Sequence, residues 1–114
     1  MPKPDPAKRA QTAAEAIREL NHITLDQRIS APVISTTTQA LCRLVDGLPQ
    51  TLDQLARQLK TRQKERAIQM DTGEDSEAAV AEVAKSLEDS VLYLGRLSNS
   101  LHAAASPLFH MGAK

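Results

Sequence analysis

Between Ile34 and Leu59 large aliphatic residues return at spacings of mostly three and four, at Ile34, Leu41, Leu44, Leu48, Leu52, Leu55 and Leu59. A run of this length at helical spacing calls for an amphipathic α-helix with an apolar stripe to cover. A strand does not fit it, because strand side chains alternate with a period of two. The rest of the chain agrees. Only Tyr93 and Phe109 are aromatic and there is no Trp, so the 41% of residues that are hydrophobic are mainly Leu, Ala, Val and Ile. Ala and Leu lead the helix scale, whereas sheets draw on β-branched and aromatic residues. The expected fold is all-α and, at 114 residues, a single domain.

Three helices are expected. Asp5 before Pro6 can cap free N–H groups while the proline gives up only a bond that would not form. Residues 1–5 read as a disordered lead-in and 6–111 as the helical domain. The first helix runs to about Leu20 with Ala10, Ala13 or Ala14, Ile17 and Leu20 on its apolar side, and Asn21 and His22 end it. Residues 23–30 form a connector anchored by Ile23 and Leu25. Ser30-Ala31-Pro32 repeats the start signal and opens a second helix that reaches about residue 66. Within it, Asp46-Gly47-Leu48-Pro49 is either a break or a kink, and the leucine phase carried through Pro49 favours the kink. The acid-rich loop Asp71 to Glu77 suits the start of a third helix, on which Val80, Val83, Leu87, Val91, Leu94, Leu97 or Ser98, Leu101 and Ala105 share a stripe before Pro107.

The two long helices would measure about 50 and 45 Å, and their short connection makes them antiparallel neighbours. The first helix, about 22 Å long, covers less than half of the groove between them. It should dock where Cys42 and Val45 meet Leu92 and Tyr93, giving a three-helix, bundle-like body. At the other end a basic run (Arg57, Lys60, Arg62, Lys64, Arg66) would face the acids from Asp71 to Asp89 and fix the alignment of the hairpin. Two helices bury leucines less fully than three. Leu48, Leu52, Leu55, Leu59, Val80, Val83 and Leu87 are therefore the expected groove for self-association or a helical partner.

No constellation for catalysis emerges. His22, His102 and His110 lie in separate settings, the glycines at 47, 73, 95 and 112 form no phosphate loop, and neither a metal ligand set nor a cofactor motif is present. Fourteen Lys and Arg balance fourteen Asp and Glu, which removes net-charge steering toward nucleic acid or an anionic membrane. Cys42 is alone and reads as a small buried hydrophobe in a reducing compartment. The start lacks the apolar segment of a secretory signal, and the stretch 91–111 is too polar for a membrane span. The expectation is a cytoplasmic protein without a membrane partner.

Thr51-Leu52-Asp53-Gln54-Leu55-Ala56-Arg57-Gln58-Leu59 resembles the first helix of a helix-turn-helix, with Lys60 to Arg62 as the turn and Gln63 onward as the recognition helix. The usual turn glycine is missing. Ala14 to Leu25 together with Leu48 to Leu55 is similar to small helical proteins of uncharacterised role from actinobacteria, a resemblance that implies no activity. The hairpin of long helices is also similar in shape to secreted WXG100-type proteins, although the Trp-x-Gly turn is absent. The leading expectation is a non-enzymatic helical interaction module that self-associates, most simply as a dimer, or docks a helical protein. A DNA-binding regulator using residues 57–66 and a WXG100-like secreted hairpin are the alternatives.

Overall fold

The start signals act where the chain carries them. The structure, a computed structural model, describes residues 3–114, so the expected lead-in lies partly outside the described residues. Among the described residues there are three α-helices and no strand: α1 (Pro6–Asp26), α2 (Ala31–Lys64) and α3 (Ser76–Leu108). Asp5 Oδ1 accepts from the Ala7 N–H at 2.9 Å, and Asp75 Oδ1 from the Glu77 N–H at 3.1 Å. Ser30 precedes α2 with extended backbone but makes no side-chain cap bond, so Pro32 alone carries the start signal there.

The helices run further than expected where only weak helix formers were to stop them. Asn21 and His22 cost a few tenths of a kcal/mol each in a helix interior, too little to end one. α1 continues through Ile23 and Leu25 to Asp26 and closes when Gln27, in extended conformation, still donates its N–H to the Ile23 carbonyl. Neither expected anchor is buried: Ile23 is 47% and Leu25 82% exposed. α2 passes Gly47 and Pro49 as one continuous helix, so the break reading is not what forms. α3 absorbs Pro107 in its last turn.

α2 and α3 pack against each other along their length. Lys60 meets Glu88, and Asp46 meets Ser98 and His102. The seam follows a seven-residue repeat. On α2 it comprises Ser35, Cys42, Pro49, Ala56 and Gln63, with Thr38, Val45, Leu52 and Leu59 between them. On α3 it comprises Ala84, Val91, Ser98 and Ala105, with Val80, Leu87, Leu94, Leu101 and Leu108. Each of these is buried or half-buried, and every buried residue among those described (Ser35, Cys42, Val45, Ala56, Val80, Ala84) belongs to the set. Small side chains on one row let the helices approach, and the aliphatic row beside it fills the remaining space.

α1 stays apart. No Cα of α1 lies within 8 Å of a Cα of α2 or α3, and none of its residues is buried. The expected docking of the first helix beside Leu92 and Tyr93 does not occur, and these two remain 70% and 65% exposed. Only its last turns come near α2, where Leu20, Ile23 and Thr24 share a cavity with Val33 and Thr37. The molecule measures 61 × 32 × 29 Å with a radius of gyration of 18.8 Å, against about 13 Å for a compact chain of this length.

α2 ends in a Schellman motif. The Ala67 N–H bonds to the Arg62 carbonyl and the Arg66 N–H to the Gln63 carbonyl, each at 2.9 Å, which forces Arg66 to φ 55°. That left-handed position favours glycine, because any Cβ there crowds the neighbouring carbonyl at a cost of about 1 kcal/mol. Arg66→Gly should therefore stabilise the fold by about 0.5–1 kcal/mol, read as a higher urea midpoint with an unchanged slope. A lower midpoint would show that the Arg66 side chain contributes more than its backbone costs.

Candidate interaction surface

The two sides of the α2–α3 seam differ in chemistry. One side is polar. Ser98 Oγ donates to Asp46 Oδ1 at 2.6 Å, and His102 Nε2 lies 2.8 Å from Asp46 Oδ2, so two residues one turn apart on α3 clasp one carboxylate on α2. Further along, Lys60 Nζ reaches Glu88 Oε1 at 3.3 Å. The hydrogen bonds from Ser98 and then His102 hold the Asp46 carboxyl below its ordinary value. Ser98 and His102 both address the carboxylate rather than each other, so the cluster lacks the nucleophile-to-base bond that acyl transfer requires. It positions helices. Spacing leaves His102 in a setting of its own, apart from His22 and His110; the signal that joins it to Ser98 is their separation of four residues, with an acid at matching height on α2.

The other side carries no charge over most of its length. One residue before the seam positions Ser35, Cys42, Pro49 and Ala56 stand Ile34, Leu41, Leu48 and Leu55, and the next row out holds Thr37, Leu44, Thr51 and Gln58; past Gln58 the same rows end in the charged pair Arg62 and Glu65. The matching rows of α3 are Val83, Ser90, Leu97 and Ala104, then Ala79, Ser86, Tyr93 and Ser100. Apart from that pair, not one of these is ionisable at neutral pH. Arg43, Asp46, Asp53, Arg57, Lys60, Lys85, Glu88 and Arg96 all fall elsewhere on the helices. Ile34, Leu44, Leu55, Val83, Tyr93 and Leu97 are each 39–65% exposed on these charge-free rows.

The predicted groove residues divide between seam and outer rows. Val80 is buried and Leu52, Leu59 and Leu87 are half-buried in the seam, while Leu48, Leu55 and Val83 lie on the outer rows. Val83 and Leu87 share a shallow hollow of about 360 Å³ with Glu82, Ser86 and Ser90. The basic residues Arg57, Lys60, Arg62, Lys64 and Arg66 are all exposed. Lys60 pairs with Glu88 and Arg62 with Glu65 at 3.1 Å, while Lys64 and Arg66 line a cleft of about 480 Å³ with Asp75 and Glu77. Lys60, Thr61 and Arg62 are helical where a helix-turn-helix needs its turn, and residues 65–75 contain no helix. The recognition helix expected from Gln63 onward is not formed.

Cys42 is buried in the seam, 2% exposed, as its apolar reading anticipated. Among the described residues no group of three His, Cys, Asp or Glu is placed to hold a metal ion, and no helix is long and apolar enough to cross a membrane. No protein-family model, curated protein or solved structure matches this chain.

The Asp46 clasp has a definite pH dependence. Its carboxyl titrates lower in the folded chain than in the unfolded one, so its contribution is complete above the ordinary carboxylate range and disappears as pH falls through the depressed value. Asp46→Asn should lower Tm slightly near neutrality, and the gap from the parent should close in acid. A gap that stays constant with pH would assign the loss to packing and not to the charge.

Proposed function

We propose that this chain is a non-enzymatic interaction module that forms a homodimer, burying the charge-free rows of its two long helices against a second copy. The single observation behind this reading is surface. The chain exposes 9363 Å², whereas a compact monomer of 12.4 kDa exposes about 6,100 Å². Elongation accounts for part of the excess, and the exposed Ile34, Leu44, Leu55, Val83, Tyr93 and Leu97 locate the apolar part. An excess of about 3,000 Å² per copy is ample for an obligate homodimer interface, which buries about 2,000–5,000 Å² in all. No described side chain is fully buried, so the monomer has little apolar burial to set against its conformational entropy.

We take α2 and α3 to be antiparallel, a reading supported by the order of their polar pairs, Lys60 with Glu88 and Asp46 with His102. In an antiparallel pair the positions just before the seam on both helices fall on the same side. Ile34, Leu41, Leu48 and Leu55 then share one face with Val83 and Leu97, and the polar pairs close the opposite face. We also take α2 to bend at Pro49, which lacks the N–H that would bond the Val45 carbonyl. The lone, buried Cys42 suits a reducing cytoplasm.

Light scattering across a concentration series should return a dimer. Leu55→Asp should weaken association by about thirtyfold or more, the effect of losing one well-packed anchor. Leu92→Asp, on the polar side of α3, should leave it unchanged. A monomer at every accessible concentration would overturn the reading.

A further inference from the structure

A helix of 21 residues that buries nothing is marginal in water, because helical stability in proteins comes mainly from packing an amphipathic face. α1 has such a face. Ala10, Ala13, Ile17, Leu20 and Thr24 recur at three and four, and Asp5 with Pro6 starts the helix cleanly. It has no seat on its own chain beyond its last turns.

Those last turns indicate where a seat lies. Leu20, Ile23 and Thr24 border a cavity of about 300 Å³ with Val33 and Thr37, and Thr24 borders a smaller one of about 200 Å³ with Ile34 and Thr37. Ile34 and Thr37 begin the charge-free rows of α2, so α1 leaves the body at the head of that face. The lengths correspond as well. α1 is about 31 Å long, and the rise from Ile34 to Leu55 is also about 31 Å.

We propose that α1 is an exchanged arm: in the dimer, α1 of each copy lies along the charge-free face of the other. The occupant is a second copy for two reasons. Its own hairpin does not seat α1, since no Cα of α1 comes within 8 Å of one in α2 or α3. The uncovered area also matches what a stable dimer buries. Exchange of an element across a short connector is a low-cost route to a dimer.

This inference rests on the homodimer reading, and complementation between two full-length variants separates the two. Ile17→Asp with Leu20→Asp spoils the arm and leaves the face intact. Leu55→Asp with Val83→Asp spoils the face and leaves the arm intact. Each double variant alone should be monomeric by light scattering, with helix content near that of the parent by circular dichroism. Mixed in equal amounts they should form a heterodimer, since the sound arm of one can seat on the sound face of the other. An arm variant that remains a full-strength dimer overturns the exchange while leaving self-association standing. Two monomeric variants that fail to combine also overturn it, since an arm seated on its own chain gives no complementation. A parent protein that is itself monomeric removes both proposals.

Discussion

The close packing of α2 on α3 is the constraint on which the rest of the structure depends. Its rows of small residues, Ser35, Cys42 and Ala56 opposite Ala84, Ser98 and Ala105, occupy the inner positions of both helices. Small side chains there bring the backbones together, but they leave little volume to bury. The bulky leucines are displaced to the neighbouring rows, half in contact and half in water. A seam made this way aligns the two helices without satisfying their hydrophobic surface.

Polar contacts on one side sharpen that alignment. Asp46 held by Ser98 and His102, and Lys60 facing Glu88, are exposed, so each contributes little to stability against water. Their importance is directional. They lie on one side of the seam, whereas the rows on the other side carry no charge from Ile34 to Gln58, which gives the pair two unlike faces. In the proposed dimer the charged face meets solvent and the uncharged one meets a second copy. α1 then has a role that its separation from the hairpin would not otherwise give it.

Much of this fold was legible in the sequence, though not at the level of individual faces. The leucine period announced α2, the Asp5-Pro6 and Asp75 caps marked two helix starts, and Cys42 was read as buried. Of the apolar stripe of α2, Leu52 and Leu59 lie in the seam, whereas Ile34, Leu41, Leu44, Leu48 and Leu55 fall one residue before a seam position. Large side chains dominate any periodicity count, yet here the inner row is built from Ser, Cys and Ala, which such a count passes over. Leu55 and Val83, grouped with Val80 and Leu87 in one groove, lie a row further out for this reason. Asn21 and His22 were overrated as stop signals because their intrinsic cost is small beside that of Gly or Pro.

Local chemistry by itself therefore determined that the chain is helical, roughly where its helices begin, and that its apolar surface is aliphatic. These follow from backbone propensity, capping and spacing, all of which act within a few residues. Tertiary structure alone decided which row of α2 faces α3, that Asp46 meets His102, and that α1 stands away from the hairpin. Each of these depends on how closely helices approach one another. Such choices are made between segments far apart in the chain, where packing outweighs the preference of any single residue.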